Sequence, residues 1–274
     1  MMAKSPPELN AVITQRIEVA PGLIVLRVVP DGWELADFLP GQYSVLGLPG
    51  SAPRCEGADP EEPPPDDNKL IRRAYSIASS SQAREYLEFY LALVRSGALT
   101  PRLFALNVGD RVWLGRKMVG MFTLDQVPQD MNVILFSTGT GVAPYMSMVR
   151  TAVNRAVGRR FAVVHGARHS WDLGYESELV TLERTCPDFD YVPIISRPNE
   201  EPVRWGGLTG YCQDVWRKRV VDGLWGLEPR PENTHIFLCG NPAMIEDMTA
   251  LLANEGFREH SKKSPGEVHL EKYW

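Results

Sequence analysis

The chain has 274 residues, room for two ordinary domains or one large one. An apolar fraction of 44% and a charged fraction of 23% are those of a soluble globular protein. The formal net charge of −5 argues against a nucleic-acid binder, which needs a basic stripe to neutralise phosphates.

The acidity is local, because residues 51–69 hold six acids (Glu56, Asp59, Glu61, Glu62, Asp66, Asp67) against Arg54 and Lys69. Cys55, Cys186, Cys212 and Cys239 are scattered without a CxxC spacing, which predicts no disulfide framework and no zinc or iron–sulfur ligand set. Thiols in a reducing cytosol are the natural reading. The first residues contain no apolar stretch of the kind found in a signal peptide. The longest uncharged run, Asn132 to Val149, is interrupted by Gly139, Gly141 and Pro144, and reads as strand–turn–helix rather than a membrane span. A cytoplasmic protein is expected.

In chain order, the first half reads as β structure. Alternating or β-branched runs lie at Val12–Val19, Leu23–Val29, Tyr43–Leu48, Arg73–Ala78, Tyr86–Val94 and Arg111–Leu114. Turn signals at Pro21-Gly22, Pro40-Gly41 and Gly109-Asp110 separate them. Short strands at this spacing predict an antiparallel barrel or sandwich. Residues 49–69, rich in Pro, Gly and acid, read as a mobile surface loop between two strands. A helix is expected at Thr100–Leu106, with Thr100 as its cap and Pro101 at its first position.

After about Val127 strands and helices alternate. Strands are expected at Val133–Ser137, Phe161–His165, Tyr191–Ile195 and His235–Cys239, with a last extended piece at Glu267–Lys272. Helices are expected from the Gly139 turn to Arg155, at Glu176–Thr185, near Gln213–Val221 and at Pro242–Asn254. This alternation predicts an α/β doubly wound parallel sheet. The domain boundary falls near residues 123–131, giving domains of 1–126 and 127–274.

Several groups in these elements can carry chemistry. In Arg73-Ala74-Tyr75-Ser76 the strand period puts Arg73 and Tyr75 on one face. The pair reads either as an ordinary sheet face or as a grip, guanidinium on phosphate and ring on heterocycle. Thr100 and Gly97 make a second element of a phosphate cradle near Arg73. Thr138-Gly139-Thr140-Gly141 follows a strand and opens a helix, so its backbone N–H groups can approach a pyrophosphate; a plain tight turn is the alternative. Pro144 stands where the usual third glycine would be. Arg168, beside Ala167, and Ser196-Arg197 end successive strands, and two guanidinium forks there favour a 2′-phosphate and hence NADP. Cys239-Gly240-Asn241-Pro242 repeats the logic at the next strand, with Cys239 either facing a reacting ring or buried as a structural thiol.

The ordered set of Pro40-Gly41-Gln42-Tyr43, Arg73-Ala74-Tyr75-Ser76, Phe89-Tyr90-Leu91, Leu99-Thr100-Pro101-Arg102-Leu103, Thr138-Gly139-Thr140-Gly141, Cys239-Gly240-Asn241-Pro242 and terminal Tyr273-Trp274 resembles the bacterial ferredoxin/flavodoxin–NADP⁺ reductases over essentially the whole chain. The resemblance implies an FAD-binding β-barrel, an NADP(H)-binding α/β domain, hydride transfer to flavin N5 and single-electron release to ferredoxin or flavodoxin. It implies FAD contacts at Arg73, Ala74, Tyr75, Ser76, Tyr90, Leu91, Ala92, Leu93, Ala98, Leu99, Thr100 and Thr140, with Tyr273 and Trp274 covering the cofactor. It implies NADP contacts at Gly139, Gly141, Ala167, Arg168, Ser196, Arg197, Gly240, Asn241 and Pro242. Tyr75, Ser76, Cys239 and Tyr273 would lie nearest the chemistry. A reductase component of an oxygenase and a non-catalytic flavin-binding electron-transfer subunit are the alternatives.

The chain departs from the resemblance twice: the 49–69 segment is extra, and Leu208-Thr209-Gly210 is followed by Tyr211 where some relatives carry an arginine. Arg72, Arg102, Arg116, Lys117, Lys262 and Lys263 are candidate docking charges for an acidic partner. A monomer that binds neither nucleic acid nor membrane is expected.

Overall fold

Pro21-Gly22 forms a two-residue hairpin between strand β1 (Ala11–Ala20) and β2 (Leu23–Pro30), with Gly22 at a φ of 81° that side chains rarely adopt. Four more strands extend this hairpin: β3 (Tyr43–Pro49), β4 (Leu70–Ser76), β5 (Leu87–Ala92) and β6 (Arg111–Leu114). They form one antiparallel sheet in the order β4-β3-β6-β1-β2-β5. Just past β4, the Ala78 amide donates to the Glu88 carbonyl on β5 at 2.8 Å and joins the two ends of the sheet into a barrel. The interior is filled by Ile13, Ile24, Leu26, Leu46, Phe89, Leu103 and Leu114, each without exposed surface. The structure, a computed structural model, describes residues 8–153 and 158–272.

The barrel belongs to a compact unit ending at Met121, and a second unit begins at Phe122. Phe122 packs edge-on against Phe237 with ring centroids 5.1 Å apart, which anchors the start of the second unit in its own core. There β7 (Asn132–Thr138), β8 (Phe161–Ala167), β9 (Phe189–Ile195), β10 (Leu208–Thr209), β11 (Thr234–Gly240) and β12 (Val268–Lys272) form a parallel sheet in the order β10-β9-β8-β7-β11-β12. Strands β7, β8 and β11 are buried almost end to end, as a sheet covered on both faces requires. The chain runs from β7 outward through β8 and β9, then returns to the other side of β7 at β11. That reversal opens a crevice beyond the carboxyl ends of β7 and β11.

Local details differ from expectation in three places. Helix α1 (Thr100–Phe104) is capped at Leu99 without a side-chain bond; the Thr100 hydroxyl instead donates to the Val94 carbonyl at 3.1 Å and closes the 94–100 turn. Thr100 is a turn staple because a closer acceptor competes for its hydroxyl. In the second unit α2 (Ala143–Ala152) and α3 (Glu176–Thr185) precede two short helices, α4 (Cys212–Arg217) and α5 (Val220–Trp225), which replace the single helix expected near Gln213–Val221. Arg219, in the left-handed region at φ 53°, separates them. Helix α6 (Pro242–Ala253) starts as the sequence predicts, with the Asn241 side chain accepting from the Ala243 amide at 2.8 Å.

The third difference is the segment joining β3 to β4. The sequence reads as a mobile loop, yet the segment is held against the barrel by its own and neighbouring arginines. Both Arg102 and Arg54 pair with Glu61, and the Cys55 amide donates to the Pro101 carbonyl at 2.9 Å. Arg102, a candidate docking charge by sequence, is 2% exposed and belongs to this network instead. Composition alone misleads here, because Arg102, the buried cation that meets Glu61, lies 41 residues further along the chain.

Candidate nucleotide-binding sites

In the barrel unit, β4 aligns Arg73 opposite Leu46 and Tyr75 opposite Ser44 on β3. Arg73 and Ala74 are exposed, Tyr75 is half-buried and Ser76 is buried. Burial pushes the Tyr75 hydroxyl well above the usual phenol range, and the Arg73 guanidinium acts in the opposite direction. Tyr75 is therefore a neutral ring packed against the barrel core, beside a charged arginine.

A pocket of about 340 Å³ is lined by Pro65, Lys69, Leu70, Ile71, Arg72, Arg73 and Ala98. Lys69 and Arg73 at one concavity suit a phosphorylated ligand. Gly97 keeps the adjacent turn tight, since a Cβ there would lie 3.0 Å from the Val94 carbonyl oxygen. Ala98 and Thr100 are half-exposed on this turn, whereas Leu99 is buried. Tyr90 and Leu91 on β5 are buried, Ala92 and Leu93 half-buried, and the Leu93 amide donates to the Gly22 carbonyl at 2.9 Å. Arg72, on the opposite face of β4 from Arg73, stacks its guanidinium 5.4 Å over the Trp113 ring.

In the second unit the crevice at the β7–β11 reversal is built from Thr138-Gly139-Thr140-Gly141 and Cys239-Gly240-Asn241. A Cβ on Gly141 would lie 2.5 Å from the Cys239 carbonyl oxygen. A Cβ on Gly240 would overlap the Thr138 hydroxyl and lie 2.8 Å from the Thr138 carbonyl oxygen. Only glycines allow the two strand ends this close, and they meet at the entry to α2. Thr138 carries a role its sequence position did not announce: its hydroxyl accepts from the Asn241 amide at 2.7 Å and ties the two strand ends together.

Beneath the Gly139 turn sits His165, buried completely on β8. Its Nε2 lies 3.1 Å from the Gly139 carbonyl oxygen and its Nδ1 3.5 Å from the Tyr191 hydroxyl. A carbonyl only accepts, so Nε2 carries the proton and Nδ1 accepts from Tyr191. Burial pushes the His165 pKa down to about 4, so the ring is neutral and acts as a brace. A histidine inside an apolar strand gives no sign of this in sequence.

The ends of β8 and β9 meet as expected. The Ser196 amide donates to the Ala167 carbonyl at 3.0 Å and the Arg197 amide to the Arg168 carbonyl at 2.9 Å, which places the exposed Arg168 and Arg197 side by side. Arg197 pairs with Glu200 at 3.5 Å, and Glu200 also binds His169 at 2.8 Å. The carboxylates of Glu200 and Asp172 hold the His169 pKa above its ordinary value. Tyr211 is exposed at the start of α4. Cys239, which the sequence offered to a reacting ring, has no exposed surface, and its Sγ lies 4.0 Å from Glu271 Oε2. Pro242 is half-buried at the first turn of α6. Tyr273 and Trp274 lie outside the described residues.

Residues 135–250, which include the ends of β7 and β11, match the oxidoreductase NAD-binding domain family. The chain is 32% identical over 86% of its length to the flavodoxin/ferredoxin–NADP reductase of Escherichia coli, of which 88% is covered. It is 30% identical over 88% of its length to the enzyme of the same name from Buchnera aphidicola, of which 89% is covered. Among solved structures, a ferredoxin NADP⁺ reductase from Neisseria gonorrhoeae with bound FAD and NADP superposes with a TM-score of 0.80 at 22% identity, covering 97% of this chain and 98% of that one. The chain belongs to the flavodoxin/ferredoxin–NADP reductase family.

Proposed function

We infer that this chain is an FAD-dependent oxidoreductase that moves electrons between NADP(H) and ferredoxin or flavodoxin. The observation that carries the reading is the close backbone approach at Gly141 and Gly240, which any larger residue would force apart, at the reversal point of an oxidoreductase sheet. When bound, FAD exchanges a hydride with the nicotinamide and single electrons with the protein partner.

The chain's own residues bind and orient. Arg73 offers its guanidinium to the FAD phosphates, supported by its place in a pocket with Lys69 and Arg72. Tyr75 presents a neutral ring to the flavin and Ser76 its hydroxyl, while Tyr90, Leu91, Ala92 and Leu93 offer backbone groups to the ring edge. Ala98, Leu99 and Thr100 line the pyrophosphate, with Thr140, Tyr273 and Trp274 as further cofactor contacts. Gly139, Gly141, Gly240, Asn241 and Pro242 receive the NADP pyrophosphate. Ala167, Arg168, Ser196 and Arg197 receive its 2′-phosphate.

Among the described residues no helix is long and apolar enough to cross a membrane. With no disulfide among the four cysteines, we propose a monomer working in the cytoplasm. The exposed Lys117, and Arg116 stacked 5.2 Å over Trp33, are the docking charges we retain on the barrel unit for an acidic partner.

Purified protein is expected to be yellow and to reduce ferredoxin or flavodoxin with NADPH. A colourless preparation that takes up no FAD and reduces no acceptor would end this reading. Arg73→Ala is expected to raise the FAD dissociation constant about 10- to 100-fold, the worth of a charge-assisted hydrogen bond of about 1.5–3 kcal/mol. Flavin fluorescence titration of the apoprotein measures it. Arg168→Ala is expected to weaken NADPH by a similar factor and NADH by less than about threefold, because only the former carries the 2′-phosphate. Equal loss for both nucleotides in steady-state kinetics would remove Arg168 from that role.

A further inference from the structure

The segment between β3 and β4 spans residues 50–69, and its ends are stitched where it leaves the sheet. The Gly50 amide donates to the Lys69 carbonyl at 2.9 Å and the Ser51 amide to Asp67 at 3.1 Å. Its middle is fastened elsewhere, to the turn at residues 94–102. Arg54 donates to the Gly97 carbonyl at 3.1 Å, the Asp59 amide to Arg95 at 3.0 Å, and Arg95 Nε to the Gly57 carbonyl at 2.6 Å.

Arg102 forms the strongest of these fastenings. Its guanidinium meets both oxygens of Glu61 at 2.9 and 2.8 Å, and donates to the carbonyls of Gly50 and Ala98 at 2.6 Å each. Glu61 receives Arg54 as well, at 2.8 Å. The two guanidinium groups hold the Glu61 carboxyl below the usual carboxylate range, with the Arg102 hydrogen bond the largest cause. A bidentate pair around an almost fully buried arginine is a fixed joint, unlike a solvated surface pair.

This joint connects two walls of the cationic pocket. Pro65 and Lys69 come from the 50–69 segment, Leu70 to Arg73 from β4, and Ala98 from the turn that Arg102 grips. Through Arg102, which donates both to Glu61 and to the Ala98 carbonyl, the joint ties the segment to the turn that carries Ala98. Lys69, on a segment otherwise dominated by acids, adds its charge to the pocket that Arg73 lines. The pocket thus calls for an anion, and the segment forms the side of the pocket away from the Tyr75 ring's place on β4.

We propose that the 50–69 segment is a clamp on the adenylate half of FAD, locked by Glu61 across Arg102 and Arg54, with Lys69 supplying a phosphate contact. This rests on the FAD reading above. It assigns the acidic insertion a role in telling FAD from FMN, which has the same ring and lacks the adenylate.

The test compares FAD and FMN affinities of the apoprotein by flavin fluorescence, for wild type, Glu61→Gln and Lys69→Gln. Glu61→Gln is expected to lower the ratio of FAD to FMN affinity about tenfold, and Lys69→Gln by about three- to tenfold. A ratio equal to wild type in both variants overturns the clamp, even if both affinities fall together. Should Glu61→Gln fail to fold, Lys69→Gln decides by the same ratio, since its side chain is exposed. A wild-type protein that takes up no FAD instead defeats the functional reading itself, so the two failures are distinct.

Discussion

Gly240→Ala is expected to raise the NADPH dissociation constant more than 100-fold while leaving FAD content at the wild-type level. The new Cβ would overlap the Thr138 hydroxyl and crowd the Thr138 carbonyl and amide at 2.8 and 3.0 Å. Gly240 also sits at a φ of 126°, which costs a side chain about 1–3 kcal/mol before any clash. Strand β11 must then back away from β7, and the bond from the Asn241 amide to Thr138 is lost. Gly226→Ala, outside the nucleotide site, is the matched control, with a φ of 60° but nothing within 4 Å of its Cβ. It is expected to cost about 1 kcal/mol of stability and little affinity. Fluorescence titration with NADPH checks both variants, and similar affinities for the two would show that close approach at Gly240 does not shape the site.

The second large effect concerns acid. His165 and His269 are buried bases whose pKa values fall to about 4 and about 3. For His269 the first cause is burial, followed by the neighbouring His260 and His235, the latter hydrogen-bonded ring to ring at 3.0 Å. Unfolding returns both rings to a pKa near 6.5, so between about pH 6.5 and 4 the unfolded chain binds more protons than the folded one. Stability is full above pH 6.5 and falls as pH drops, by up to about 1.4 kcal/mol per pH unit for each ring. Urea midpoints measured from pH 7 to 4.5 are expected to decline steeply, and His269→Gln to flatten that slope by about one proton. A flat profile in the wild type would mean these rings are not held neutral.

The sequence makes the two-unit plan legible because the hydrophobic period changes from two to an alternation of strands and helices, and because glycines mark the places where backbone must meet backbone. Gly141, Gly240, Arg168 and Arg197 could be picked out for that reason: their chemistry follows from residue type and local position. Thr100 could not, since its cap role was lost to a carbonyl six residues back. Arg102 and Glu61 were opaque for a different reason. Each reads alone as a surface charge, and only the fold brings them together across 41 positions and removes them from water. His165 belongs with them, as its function is to hold up a turn 26 residues away.

Thr138 and Asn241, whose bond joins the two strand ends, are 103 residues apart in the chain. Bringing such distant segments together costs loop entropy that local hairpins do not incur, and chains rich in distant pairings fold slowly. The β1–β2 hairpin closes across two residues, whereas the β7–β11 pair closes a loop that holds β8, β9 and β10. Closing the Thr138–Asn241 bond therefore carries more loop entropy than closing a hairpin does. A ligand that binds only the joined strand ends stabilises the finished fold by mass action, because the unfolded chain lacks the junction.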